Sequence, residues 1–219
     1  MDGANLPPLH ALLIGIDGYS ESPLHGCVND IRAVQRLLIE ELGVPAAAIT
    51  TLLASNPTAA HPDPAPELAG TVAVPTHRNM VDALGRLAGR EVTPGDHMLI
   101  YYSRHGSFQR MSSAQAYFEG LVPIDFEDSG LLFDLELNRL LQAIAEHGGD
   151  LSVILDCCHS AGATRDVQQI DPDRRSRNLR LPDVAPAQVE QRLRSLLRQG
   201  NGGGTPARYT VLCACHADE

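Results

Sequence analysis

Short apolar runs alternate along this chain with longer stretches in which apolar residues return every three or four positions. Ala11–Ile16 (ALLIGI), Ile49–Leu53 (ITTLL), His97–Tyr102 (HMLIYY), Leu151–Asp156 (LSVILD) and Tyr209–Cys213 (YTVLC) are runs of the first kind, bounded by turn residues, and predict strands. Near-continuous apolar character means that both faces are covered, as in a parallel sheet under helices. The longer stretches predict those helices. Cys27–Leu42 carries Ile31, Val34, Leu37, Leu38 and Leu42 on one face and is closed by Gly43. Thr76–Ala88 starts at a threonine suited to capping and spaces Met80, Leu84 and Leu87 helically; Asp134–Glu146 does the same with Leu137, Leu140, Leu141 and Ile144. Strands alternating with helices predict an α/β layered fold. Two stretches read as loops: Ala54–Val74, rich in Pro and Ala, and Asp166–Pro206, with a helix at Ala185–Arg198 and then GNGGG.

Composition narrows this picture. The chain has 219 residues, 43% of them hydrophobic, which suits one well-buried domain. Aromatics make up 4%, so Leu, Val, Ile and Ala must build the core. A formal charge of −10 argues against a nucleic-acid footprint, which needs clustered Lys and Arg. No apolar run approaches the length of a membrane span, and no leader pattern opens the chain. Five cysteines, two of them adjacent at Cys157 and Cys158, do not make a disulfide framework and predict a reducing cytoplasm.

Candidate chemistry sits where strands end. In open α/β sheets the active crevice lies beyond the carboxyl ends of the strands. HMLIYY runs into Ser103, Arg104, His105 and Gly106, and LSVILD runs into Cys157, Cys158 and His159. Parallel neighbours would raise an imidazole and a thiol at one rim, as a thiolate nucleophile with an adjacent base requires. The N–H groups of Gly106 and Cys158 could then hold an oxyanion. Cys157 alternates to the opposite face and belongs to the core. Cys213, Cys215 and His216 are rich in metal-ligand types, but no separated Cys-x-x-Cys pair supports a zinc site.

The stretch Y-Y-S-R-H-G-S followed by V-I-L-D-C-C-H-S-A-G resembles the paired histidine and cysteine motifs of metacaspases, including their bacterial relatives. The opening A-L-L-I-G-I-D-G-Y with L-H-G-C-V-N-D, and the later F-E-G-L-V-P-I-D with F-D-L-E-L, are similar to that family too. The likeness covers Leu9–Gly162 and, more weakly, the last strand. It implies a three-layer caspase-like sandwich with a mostly parallel central sheet flanked by helices. It also implies a cysteine endopeptidase with Cys158 as nucleophile and His105 as general base and acid. Asp30 and Asp156 match the acidic wall of the pocket for the residue before the scissile bond, with Ser103 and Cys27 as its lining. Two carboxylates suit a buried Arg or Lys of the substrate, whereas a preference for Asp would need arginines. Cleavage after Arg or Lys follows. Arg104 stands where the family has glycine, and Ala161 replaces another glycine.

The organisation expected is an N-terminal tail at 1–8, a large-subunit-like catalytic core at 9–165, a linker at 166–207 and the start of a small-subunit-like region at 208–219. Arg175, Arg177 and Arg180 in the linker are expected self-cleavage sites. The chemistry itself requires no cofactor; calcium, through Asp134 and Asp166, is expected only as an activator. Expected partners are peptides or proteins with Arg or Lys before the cut, with no nucleic acid or membrane. The chain is expected to be a monomer, within a longer multidomain protein. The competing expectation is an inactive caspase-like module that binds or scaffolds.

Overall fold

The computed structural model describes residues 7–56, 70–111, 116–157, 181, 185–199 and 207–213. The five expected strands are all present: β1 (Leu9–Ile16), β2 (Ile49–Ala54), β4 (His97–Ser103), β8 (Asp150–Asp156) and β9 (Thr210–Cys213). A sixth, β3 (Thr71–Ala73), lies inside the stretch read as the loop Ala54–Val74 and corrects that reading. At three residues it is too short to show a pattern. Among the described residues these form one sheet, in the order β3-β2-β1-β4-β8-β9, with every neighbouring pair parallel.

Alternation along β1 explains the layers. Leu12 and Ile14 face one side, where they pack with Met80, Leu84 and Leu87 of α2 (His77–Ala88) and Leu137, Leu141 and Ile144 of α4 (Asp134–Ala145). Ala11 and Leu13 face the other side, with Ile31 of α1 (Cys27–Arg36). Both faces are dry, as near-continuous apolar runs require. This is the expected three-layer sandwich. Thr76 caps α2 as anticipated, accepting the Asn79 N–H at 3.2 Å. The first helix departs from its reading: it is α-helical to Arg36 and then widens into a π turn over Leu37–Glu41.

Between β4 and α4 lies a second, antiparallel sheet that hydrophobic runs did not reveal: β5 (Gly106–Met111), β6 (Ala116–Leu121) and β7 (Leu132–Phe133), with the short helix α3 (Phe126–Ser129) before β7. It stands over the carboxyl ends of the main strands. Its core gathers Met111, Phe118, Phe126 and Phe133 with Ile16 and Tyr19 from the end of β1. Within the stretch read as linker, α5 (Ala187–Gln199) buries Val189 and Leu193 in that same cluster. Arg192 fixes it, donating to the Ser129 and Leu131 carbonyls at 2.9 and 2.6 Å and lying over the Phe133 ring.

Candidate active site

Gly15, Ser103 and Asp156 lie side by side in the parallel register of β1, β4 and β8, at the carboxyl ends of the three strands. A side chain at Gly15 would meet Ile31 Cγ1 at 2.6 Å and the Cys27 carbonyl at 2.9 Å, so glycine is what lets α1 close on the strand tips. The start of α1 is held from a distance. Its N-cap position is Gly26, at φ 112 and without a side chain to cap the first N–H groups. Asp17, just beyond β1, does this instead: its two carboxylate oxygens accept the Cys27 and Val28 N–H groups, each at 3.1 Å.

That anchoring brings the four expected pocket residues together. Ser103 Oγ donates to Asp30 Oδ2 at 3.3 Å, and Asp156 is the cross-strand neighbour of Ser103. Burial raises the Asp30 carboxyl above its ordinary range; the Ser103 bond opposes this, and the negative charges of Asp156 and Asp17 add to it. Burial pushes the Cys27 thiol up to about 12, with the Ser103 hydroxyl in bonding reach, so it stands beside Ser103 as a neutral thiol. Tyr101 joins them unforeseen. Two residues before Ser103, it shares its face of β4, and burial followed by the charges of Asp156 and Asp30 pushes its phenol up to about 12. Period-two spacing from Ser103 was the signal for it.

His105 follows β4 by two residues and is half-buried. Its Nε2 lies 3.2 Å from the Ser22 carbonyl and its ring packs on Tyr19, with centroids 5.3 Å apart. Its backbone is clamped too: the Tyr102 hydroxyl donates to the His105 carbonyl at 3.4 Å and accepts the Val122 N–H at 3.0 Å. Tyr19 completes the clamp by donating to the Val122 carbonyl at 2.8 Å. Burial lowers the imidazole pKa below its usual value; the Ser22 carbonyl opposes this and the nearby Arg104 charge reinforces it. With Nε2–H on Ser22, Nδ1 keeps its lone pair and can take a proton. Gly106 opens β5, paired with Leu121, and is buried.

Cys157 is buried in the main core, on the face the alternation required. Cys158, Asp166, Arg175, Arg177 and Arg180 lie outside the described residues. Asp134, the other expected calcium ligand, faces inward at the start of α4. Burial pushes its carboxyl up to about 6, and Oδ1 accepts the Leu135 N–H at 2.7 Å. Among the described residues no group of three or more His, Cys, Asp or Glu gathers; Asp166, the calcium ligand expected beside Asp134, lies outside them. No helix of the described residues is long and apolar enough to cross a membrane.

The profile of the family described as Metacaspase, peptidase C14 domain, matches residues 10–167. Metacaspase-1 of Arabidopsis thaliana is 34% identical over 154 residues, 68% of this chain and 38% of that protein. Metacaspase-1 of Schizosaccharomyces pombe is 31% identical over 70% of this chain and 34% of its own length. Metacaspase-2 of Trypanosoma brucei brucei is 30% identical over 69% of this chain and 41% of its own length. The chain thus spans less than half of the curated relatives it matches.

Proposed function

This chain belongs to the metacaspase family, peptidase C14, and from that membership we propose that it is a cysteine endopeptidase cutting after Arg or Lys. One observation carries the specificity: Asp30 and Asp156 converge on Ser103 at the strand ends, two residues from His105, with no basic side chain bonded to either carboxylate among the described residues. Two such groups would hold a guanidinium or ammonium by charge-assisted hydrogen bonds and would repel an acidic side chain.

In this reading Cys158, next along the chain from Cys157, is the nucleophile. Its sulfur attacks the scissile carbonyl carbon while His105 accepts the thiol proton. The N–H groups of Gly106 and Cys158 hold the oxyanion. His105 then gives the proton to the leaving amine, the C–N bond breaks, and a thioester remains. Water, deprotonated by the same imidazole, hydrolyses the thioester and frees the carboxyl product. A depressed imidazole pKa suits this role, because the base is then neutral near pH 7. The same reading takes the protein as a monomer in a reducing, cytoplasmic setting, with Arg175, Arg177 and Arg180 as sites where it cuts itself.

The test is hydrolysis of matched fluorogenic peptides ending in Arg, Lys or Asp, with and without calcium, against Cys158→Ala. Turnover of Arg and Lys peptides that vanishes in Cys158→Ala is expected. Turnover of Asp peptides alone would overturn the pocket assignment, and silence in every condition would favour a binding or scaffolding module. A calcium requirement would support the expected activator role of the cation.

A further inference from the structure

Arg104 immediately precedes His105 and is only 3% exposed. A guanidinium taken out of water normally meets carboxylates or carbonyl oxygens. Here none of Nε, Nη1 and Nη2 makes a hydrogen bond of normal geometry, although the Tyr102 hydroxyl interacts with the guanidinium. Ring faces hold the cation instead, with its carbon 4.4 Å from the centre of the Tyr102 ring and 5.6 Å from that of Tyr19. The Arg104 N–H is bonded to the Asp156 carbonyl at 3.1 Å, continuing the β4–β8 ladder, so its side chain leaves on the face opposite Ser103. It therefore does not fill the acidic pocket. It sits against the two tyrosines that clamp His105.

We propose that Arg104 is a positioning residue of the histidine–thiol pair: its fixed positive charge, seated between Tyr19 and Tyr102, sets the pH window in which that pair holds a single proton. The inference rests on the His105–Cys158 reading above. A pair holding both protons is cationic, a pair holding one is neutral overall, and a pair holding none is anionic. A neighbouring fixed cation disfavours the first and favours the last, whichever atom carries the shared proton. Both limits of the active window move to lower pH.

The groups packed around Arg104, Tyr19 and Tyr102 from the other elements do not cancel this charge. From the loop after β1 come Tyr19, whose phenol burial raises, and the Ser22 carbonyl. From β4 comes Tyr102, its phenol likewise raised by burial. From the start of α1 comes the Cys27 thiol, neutral for the same reason. The Asp17 carboxylate is engaged by two N–H groups of α1, and Cys157 follows β8, buried in the main core. Asp30 and Asp156 stand on the opposite face and are common to every variant compared.

The experiment measures the rate of Cys158 alkylation by iodoacetamide against pH in the full chain, alongside peptide hydrolysis. Wild type, Arg104→Gln, Arg104→Met, Arg104→Lys and His105→Ala are compared. Both inflections are expected to rise by about one pH unit in the Gln and Met forms, the size of a single charge at close range. Lys, which keeps the charge, is expected to restore the wild-type window. Arg104→Met keeps apolar packing on the two rings should the Gln form not fold. Unmoved inflections in the neutral variants, or a Lys variant displaced as far as they are, would overturn the inference. A wild-type profile indifferent to His105→Ala would instead remove the dyad itself, and the inference with it.

Discussion

At the scale of single residues, the proposed pocket shares few atoms among many roles. Ser103 supports Asp30 and touches Cys27, while Asp156 stands beside it in register. Replacing Asp30 by Asn keeps the shape and removes one charge. For peptides ending in Arg we expect kcat/KM to fall by about 10- to 100-fold, the size of one charge-assisted hydrogen bond. Circular dichroism should show the fold unchanged. The raised Asp30 pKa fixes a direction with pH. As pH falls through that raised value, Asp30 takes a proton and loses its attraction for a cation, so KM for Arg peptides rises. This rise should begin above the ordinary carboxylate range and be absent in Asp30→Asn, as a series of initial rates would show.

At the scale of elements, the position of α1 depends on one carboxylate outside it. Asp17→Ala would leave the buried Val28 N–H and its neighbour at Cys27 without acceptors, at a cost of about 1–3 kcal/mol. Urea unfolding should report that loss, and a raised KM should report the loosened Asp30 wall. Nothing in the sequence marked Asp17 as the cap of α1, because capping is read from the residue just before a helix, and that residue is Gly26. The same contrast runs through the fold. The main strands and α1, α2 and α4 were legible because each carries an apolar run or a helical stripe. β5 escaped because it places Ser107 and Gln109 inward, so polar letters mark its buried side. Of the candidate site, the strand-end placement of Ser103, His105 and Asp156 was legible from the apolar runs before them; the Tyr19–Tyr102 clamp was not, since its two tyrosines meet only through Val122, 103 positions from Tyr19 and 20 from Tyr102.

At the scale of the whole molecule, α5 ties the far part of the chain to the layer above the site. Besides its two carbonyl bonds, Arg192 lies 3.6 Å from Glu136, which also meets His77 Nε2 at 3.2 Å. Arg139 of α4 reaches back to the Leu196 carbonyl and to Gln199. Arg192→Ala removes the centre of this joint and should cost on the order of 1–3 kcal/mol. Faster hydrogen exchange throughout α5, with β1 and β4 still protected, would be the expected signature. The register of the main sheet has a further consequence for a chain being made from its N-terminus. Asp30 emerges with α1 and Ser103 with β4, yet Asp156 and the proposed nucleophile arrive only with β8, which must then dock along β4. A nascent chain short of Asp150 has half a pocket and no sulfur to attack with. On the proposed reading, synthesis itself thus leaves the site incomplete until β8 joins the sheet.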